Sequence, residues 1–130
     1  NSVTKAWANK ELDTHHGGVV RIGDYLYGSS WHSNKKGNWV CLRWSDGEKM
    51  YDTTWNNKGA IISAEGMIYI YDEKSGNVGL APATPEKLDI VSSFKITEGA
   101  KQHWAHPIIQ DKRLYIRHGA CLMAYDIAAN

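Results

Sequence analysis

Gly18-Val-Val-Arg-Ile-Gly-Asp-Tyr-Leu-Tyr27 reads as two short apolar runs on either side of Gly23-Asp24, and the same pattern recurs twice. The second copy is Ala60-Ile-Ile-Ser-Ala-Glu-Gly-Met-Ile-Tyr69 and the third is His106-Pro-Ile-Ile-Gln-Asp-Lys-Arg-Leu-Tyr115. They align without a gap, so that Leu26, Ile68 and Leu114 correspond, as do Tyr27, Tyr69 and Tyr115, at spacings of 42 and 46 residues. Gly23-Asp24, Glu65-Gly66 and Asp111-Lys112 take the place between the runs, and two-residue connections of this chemistry join antiparallel strands.

Working outward, each hairpin is followed by further strand-like runs. Trp39–Trp44 and Lys49–Trp55 flank Asp46-Gly47, Asn77–Ala83 leads through Thr-Pro-Glu-Lys to Leu88–Ile96, and Cys121–Ile127 follows the third hairpin. Ser2–Ala8 stands ahead of the first copy as Thr53–Trp55 stands ahead of the second. Thr84–Leu88 offers one helical turn at most, and no other helical period appears. Four-stranded units of this length, repeated without helices, are the pattern of β-propeller blades. A β-sandwich with accidental likeness among its hairpins is the competing fold, and the gap-free alignment of three hairpins argues against it.

The expectation is therefore an all-β propeller fragment. Residues 1–16 supply the outer strand of a preceding blade and a connecting loop, 17–57 and 58–103 form two full blades, and 104–130 form a blade of three strands. Propellers close with about four to eight blades. The chain is accordingly expected either to be the C-terminal part of a longer protein or to pair with a second copy, Ser2–Ala8 then completing the neighbour's third blade. The partners implied are the remaining blades or another copy.

Composition agrees and narrows the function. Six Trp, seven Tyr and twelve Gly in 130 residues, against three Pro and one Phe, suit short strands and tight turns. A formal net charge of +1 supplies no surplus to hold nucleic acid or an anionic bilayer. No run approaches the roughly 18 apolar residues of a membrane span. Cys41 and Cys121 fall on the third strands of the first and third units, a whole blade apart, and read as free buried thiols.

Cys41-Leu-Arg-Trp-Ser-Asp-Gly-Glu-Lys-Met-Tyr51 resembles the tryptophan-docking repeat of quinoprotein-like propellers. In that repeat an aromatic ring packs over the peptide of a glycine turn. The resemblance gives Asp46 and Gly47 the turn and Tyr51 the docking ring. Over essentially the whole chain, His15-His-Gly-Gly-Val-Val20, Ala83-Thr-Pro-Glu86, Ser92-Ser-Phe-Lys95, His103-Trp-Ala-His-Pro107 and Arg113-Leu-Tyr-Ile-Arg117 are similar to the C-terminal blades of bacterial propellers of the pyrroloquinoline-quinone-like repeat class. Members are labelled alcohol-dehydrogenase-like or likened to the propeller lipoprotein of the outer-membrane β-barrel assembly machinery. The resemblance implies a periplasmic or exported setting.

Fold likeness carries no chemistry of its own. The quinone-dependent alcohol dehydrogenases of that class hold pyrroloquinoline quinone over Ca²⁺ beside an adjacent Cys-Cys pair and an Asp base. This chain has no Cys-Cys, and Asp24, Asp46, Asp72 and Asp111 are dispersed among turns. No catalytic site is expected to be complete here. The first reading is a binding or scaffolding propeller, and quinone and calcium would belong to a full-length homologue. The alternative is a fragment of a quinone-dependent dehydrogenase whose cofactor site lies in other blades.

The histidines form the one unexpected grouping. His15 and His16 precede the innermost strand of the first unit, and His103, Trp104 and His106 precede that of the third, with Trp104 aligned on His16. Trp31-His32 and His118 lie on connections expected at the same face, with Lys58-Gly59 from the second unit. Gathered at one rim, imidazole, indole and Lys with few carboxylates favour an anionic or carbohydrate-like ligand over Ca²⁺. An anion would bind more tightly there as imidazoles protonate near their ordinary pKa of about 6.5. The competing reading is that these rings pack the seams between blades. Lys35-Lys36 is read as a solvated loop tip that, with Trp31 and Trp39, is too weakly basic for nucleic acid and is compatible with a sugar.

Overall fold

The structure is a computed structural model that describes residues 1–128, so the last two positions of the third unit lie outside it. Eleven strands and no helix occur among the described residues. They are β1 (Val19–Ile22), β2 (Tyr25–Ser33), β3 (Lys36–Arg43), β4 (Lys49–Thr53), β5 (Gly59–Ala64), β6 (Met67–Asp72), β7 (Asn77–Pro82), β8 (Ser92–Lys95), β9 (Ile108–Gln110), β10 (Arg113–His118) and β11 (Cys121–Asp126). Antiparallel neighbours in chain order make sheets β1–β4, β5–β8 and β9–β11, so the chain folds as two four-stranded blades and one of three strands.

The turns explain the register. Ile22 pairs with Tyr25, Ala64 with Met67 and Gln110 with Arg113, leaving in each case the two turn residues expected from the sequence. Glu65-Gly66 and Asp111-Lys112 hold φ of 51° and 74°, and of 50° and 61°, whereas only Gly23 is positive in the first hairpin, at 58°. These are type I′ and II′ turns, whose twist matches that of the strands they join.

The sheets stack face to face, and alternation along β6 shows how. Ile68 and Ile70 pack with Tyr27, Trp39, Cys41 and Ile61 between the first two sheets, while Tyr71, with Val78, Ile96, Leu114 and Ile116, fills the gap to the third. Successive strand residues point to opposite faces, so a middle sheet needs Ile-Tyr-Ile-Tyr, apolar on both sides. The inner strands β1, β5 and β9 touch in turn, which brings the loops preceding them to one end of a common axis.

One expectation needs correction, and it concerns how the N-terminal segment meets the first sheet. Among the described residues Ser2–Ala8 pairs with no strand, and individual hydrogen bonds rather than a ladder fasten the N-terminal segment to the first sheet. Trp7 Nε1 donates to the Trp44 carbonyl at 2.9 Å, Asn9 Nδ2 to the Gly47 carbonyl at 3.0 Å, and the Trp31 amide to the Asp13 carbonyl at 2.6 Å. The ring over the β3–β4 turn is consequently Trp7, not Tyr51. A Cβ on Gly47, whose φ is +73°, would stand 2.5 Å from Trp7 Cε3. Tyr51 instead pairs with Cys41 in register and packs against the core between the first two sheets, and Asp46 accepts from Arg43 at 2.8 and 3.1 Å.

At the other end of the stack, Ile108 and Leu122 stand exposed on the third sheet. A cleft of about 320 Å³ opens between β11 and β7–β8, with Phe94 and Tyr125 rings 4.7 Å apart at its wall.

Candidate functional site

The floor of the site is an ion pair. Lys58, immediately before β5, has no exposed surface, and its Nζ lies 2.8 Å from Glu73 Oε1 and 2.9 Å from the Ser33 carbonyl. Space for its stem depends on Gly37, where a Cβ would come within 2.6 Å of Lys58 Cβ. Glu73 is placed by the β6–β7 turn. The Asp72 carboxylate accepts the amides of Lys74 and Ser75 at 3.0 and 3.1 Å, and the Glu73 amide donates to the Lys58 carbonyl at 2.9 Å. Charges removed from water are tolerable when paired and hydrogen-bonded, and here the ammonium has both the Glu73 carboxylate and the Ser33 carbonyl as partners.

Above this pair four rings run in a row. Trp31 and His15 centroids are 6.2 Å apart, His15 and His16 3.9 Å, and His16 and Trp104 4.6 Å. The two positions that align across the first and third units, His16 and Trp104, therefore meet near the axis. A register shift in the β2–β3 pairing at Trp31–Ser33 falls at this end, and irregularities of this kind re-aim side chains at sites. His15, His16, Trp104 and Glu73 line a cleft of about 600 Å³ together with Asn34, Lys74, Lys101 and Gln102.

Donor atoms of His15, His16 and Glu73 lie within 4.8 Å of one another, a spacing at which three ligands close on a cation. The opposing term is Lys58. A cation on the Glu73 carboxylate would sit about 4 Å from its ammonium, which costs about 4 kcal/mol per unit charge at an effective dielectric near 20. Lys74 and Lys101 add to this, and Glu73 is the one carboxylate in the lining among the described residues. Ca²⁺ takes about six to eight oxygen ligands. The residues present therefore do not fit a quinone–calcium centre. Their balance favours an anion.

Not all of the histidines belong to this cleft. His103 and His118 are buried and stacked at 3.6 Å. His103 Nδ1 shares a hydrogen bond with the Tyr71 hydroxyl, and His118 Nδ1 and Nε2 lie 2.8 and 2.7 Å from the Glu98 and Lys101 carbonyls. Burial, reinforced by His118, holds His103 below its ordinary pKa of 6.5. These two rings form the seam between the second and third sheets. By gripping residues 98–103 they set Lys101, Gln102 and Trp104 at the cleft wall. His106 is exposed and outside the lining, and His32 Nε2 lies 3.2 Å from Ser30 Oγ on β2.

Sequence pattern alone does not single out Glu73, Lys74, Lys101, Gln102 or Asn34. For Glu73 and Lys74 the available signal is Asp72-Glu-Lys-Ser-Gly76, a turn at the same end of the second blade as the histidine-bearing loops. Lys58, expected to line the rim, is instead fully buried beneath the cleft in its pair with Glu73 and is not part of the lining. No protein-family model matches the chain, and no curated protein matches it.

Proposed function

We propose that the chain is part of a quinoprotein-like propeller that works as a binding module, in the periplasm or outside the cell, and that its ligand is an anion taken into the cleft above Lys58 and Glu73. The observation that carries this reading is the charge arrangement. The buried pair is neutral as a unit, Lys74 and Lys101 remain facing the cleft, and among the described residues no second carboxylate opposes them there. Electrostatic complementarity of this kind selects the sign of a ligand more than it sets affinity. Pockets are mostly apolar walls with a few placed polar groups, which describes indole and imidazole interrupted by Lys and amide.

The test uses the complete protein. Calorimetric titration with glucuronate is expected to give saturable binding, and Lys74→Gln with Lys101→Gln to weaken it about tenfold. Equal affinity for glucose and glucuronate would overturn the reading. Thermal stabilisation by pyrroloquinoline quinone with Ca²⁺, together with dye-linked alcohol oxidation, would favour the dehydrogenase alternative instead.

A further inference from the structure

We propose that the ligand is an acidic oligosaccharide, a uronate-bearing chain whose sugar faces lie along Trp31, His15, His16 and Trp104 and whose carboxylates meet Lys74 and Lys101. The proposal rests on the reading of the cleft as an anion site and goes beyond it in naming the rest of the ligand. Trp104 and Trp31 leave 52% and 39% of their surface to solvent, although indoles ordinarily bury most of theirs. Exposed apolar surface rimmed by polar groups marks binding grooves. A pyranose offers an apolar C–H face to an indole and hydroxyls at its edge. The row of four rings is extended enough for more than one such unit.

Three features favour a sugar over a nucleic acid. Successive rings are tilted by 49°, 46° and 32°, so the row turns as it runs, whereas stacked bases call for parallel platforms. The amides of Asn34 and Gln102 in the lining each present donors and an acceptor, matching hydroxyls that do both, whereas a phosphate oxygen only accepts. Among the described residues no Arg lines the cleft, and the cations facing it, Lys74 and Lys101, are point charges without the bidentate fork suited to phosphate.

Calorimetry on the complete protein with trigalacturonate, its fully methyl-esterified counterpart, inorganic tripolyphosphate and a short oligo-dT separates the possibilities. The free acid is expected to bind and the neutral ester to bind about tenfold more weakly. Trp104→Ala is expected to weaken the acid about tenfold, with Trp104→Tyr restoring most of it and near-ultraviolet circular dichroism verifying the fold. Binding of tripolyphosphate or oligo-dT without trigalacturonate would overturn the saccharide and leave the anion site standing. Equal binding of acid and ester would overturn the anion site itself, and the absence of binding by all four probes would overturn both.

Discussion

Lys58 Nζ and Glu73 Oε1 are 2.8 Å apart with the lysine side chain wholly enclosed. The pair ties the start of β5 to the β6–β7 turn, and through the Ser33 carbonyl it reaches the end of β2. One buried cation thus fastens the first blade to the second beneath the cleft. Its charge is cancelled, so it shapes the site without acting as the ligand's counter-ion.

Removing either partner leaves the other charge buried alone. Lys58→Met is expected to lower unfolding stability by about 3–5 kcal/mol in urea denaturation. Lys58→Met combined with Glu73→Gln should cost less than the sum of the single changes. Additive losses would show that the two side chains are not energetically coupled.

The acid limb of stability should report His103. Its folded pKa lies below the unfolded 6.5 because burial, then the charge of His118 and of Lys95, disfavours the imidazolium, with Asp72 opposing them. Between the two pKa values the unfolded chain binds a proton that the folded chain refuses, so this contribution erodes stability as pH falls through that window. In His103→Gln the fall in Tm between about pH 7.5 and 5 should be smaller than in the parent protein. An unchanged fall would assign the acid limb to other groups.

The two thiols should differ sharply in reactivity. Cys41 has no exposed surface and burial pushes its pKa up to about 11, whereas Cys121 is partly open on β11. Native-state titration with a disulfide reagent near neutral pH is expected to modify one thiol per chain, with the second appearing only on denaturation. Rapid modification of both would place β3 outside a closed core.

Gly47→Ala should reveal the docking of Trp7. The new methyl would meet the indole at 2.5 Å and force a side chain into φ +73°, so a loss of about 1 kcal/mol or more is expected in thermal unfolding. Trp7→Ala introduced first should relieve the steric part of that loss and leave the backbone part.

Faces should also be distinguishable. Ile70, enclosed between the first two sheets, is expected to cost about 2–5 kcal/mol as Ile70→Ala. Leu122, 69% exposed on the third sheet, should fall within about 0.5 kcal/mol as Leu122→Ala in the isolated chain. A large effect at Leu122 would mean that this face is covered in solution.

Local features of the protein were legible from residue order. The three hairpins, their two-residue turns and the grouping of strands into units of four, four and three rest on turn chemistry and period-two alternation, which act between residues adjacent or nearly so along the chain. The gap-free repeat also put His15, His16 and Trp104 at one rim, because equivalent positions in successive units carry relative location with them. Features between blades were settled only by folding. Whether a histidine faces the cleft, as His16 does, or closes a seam, as His103 does, depends on which distant ring it meets. Glu73 became a site residue because Lys58 was buried opposite it. Burial and charge pairing are set by contacts between residues far apart in the chain, and no repeat or motif within one unit encodes them.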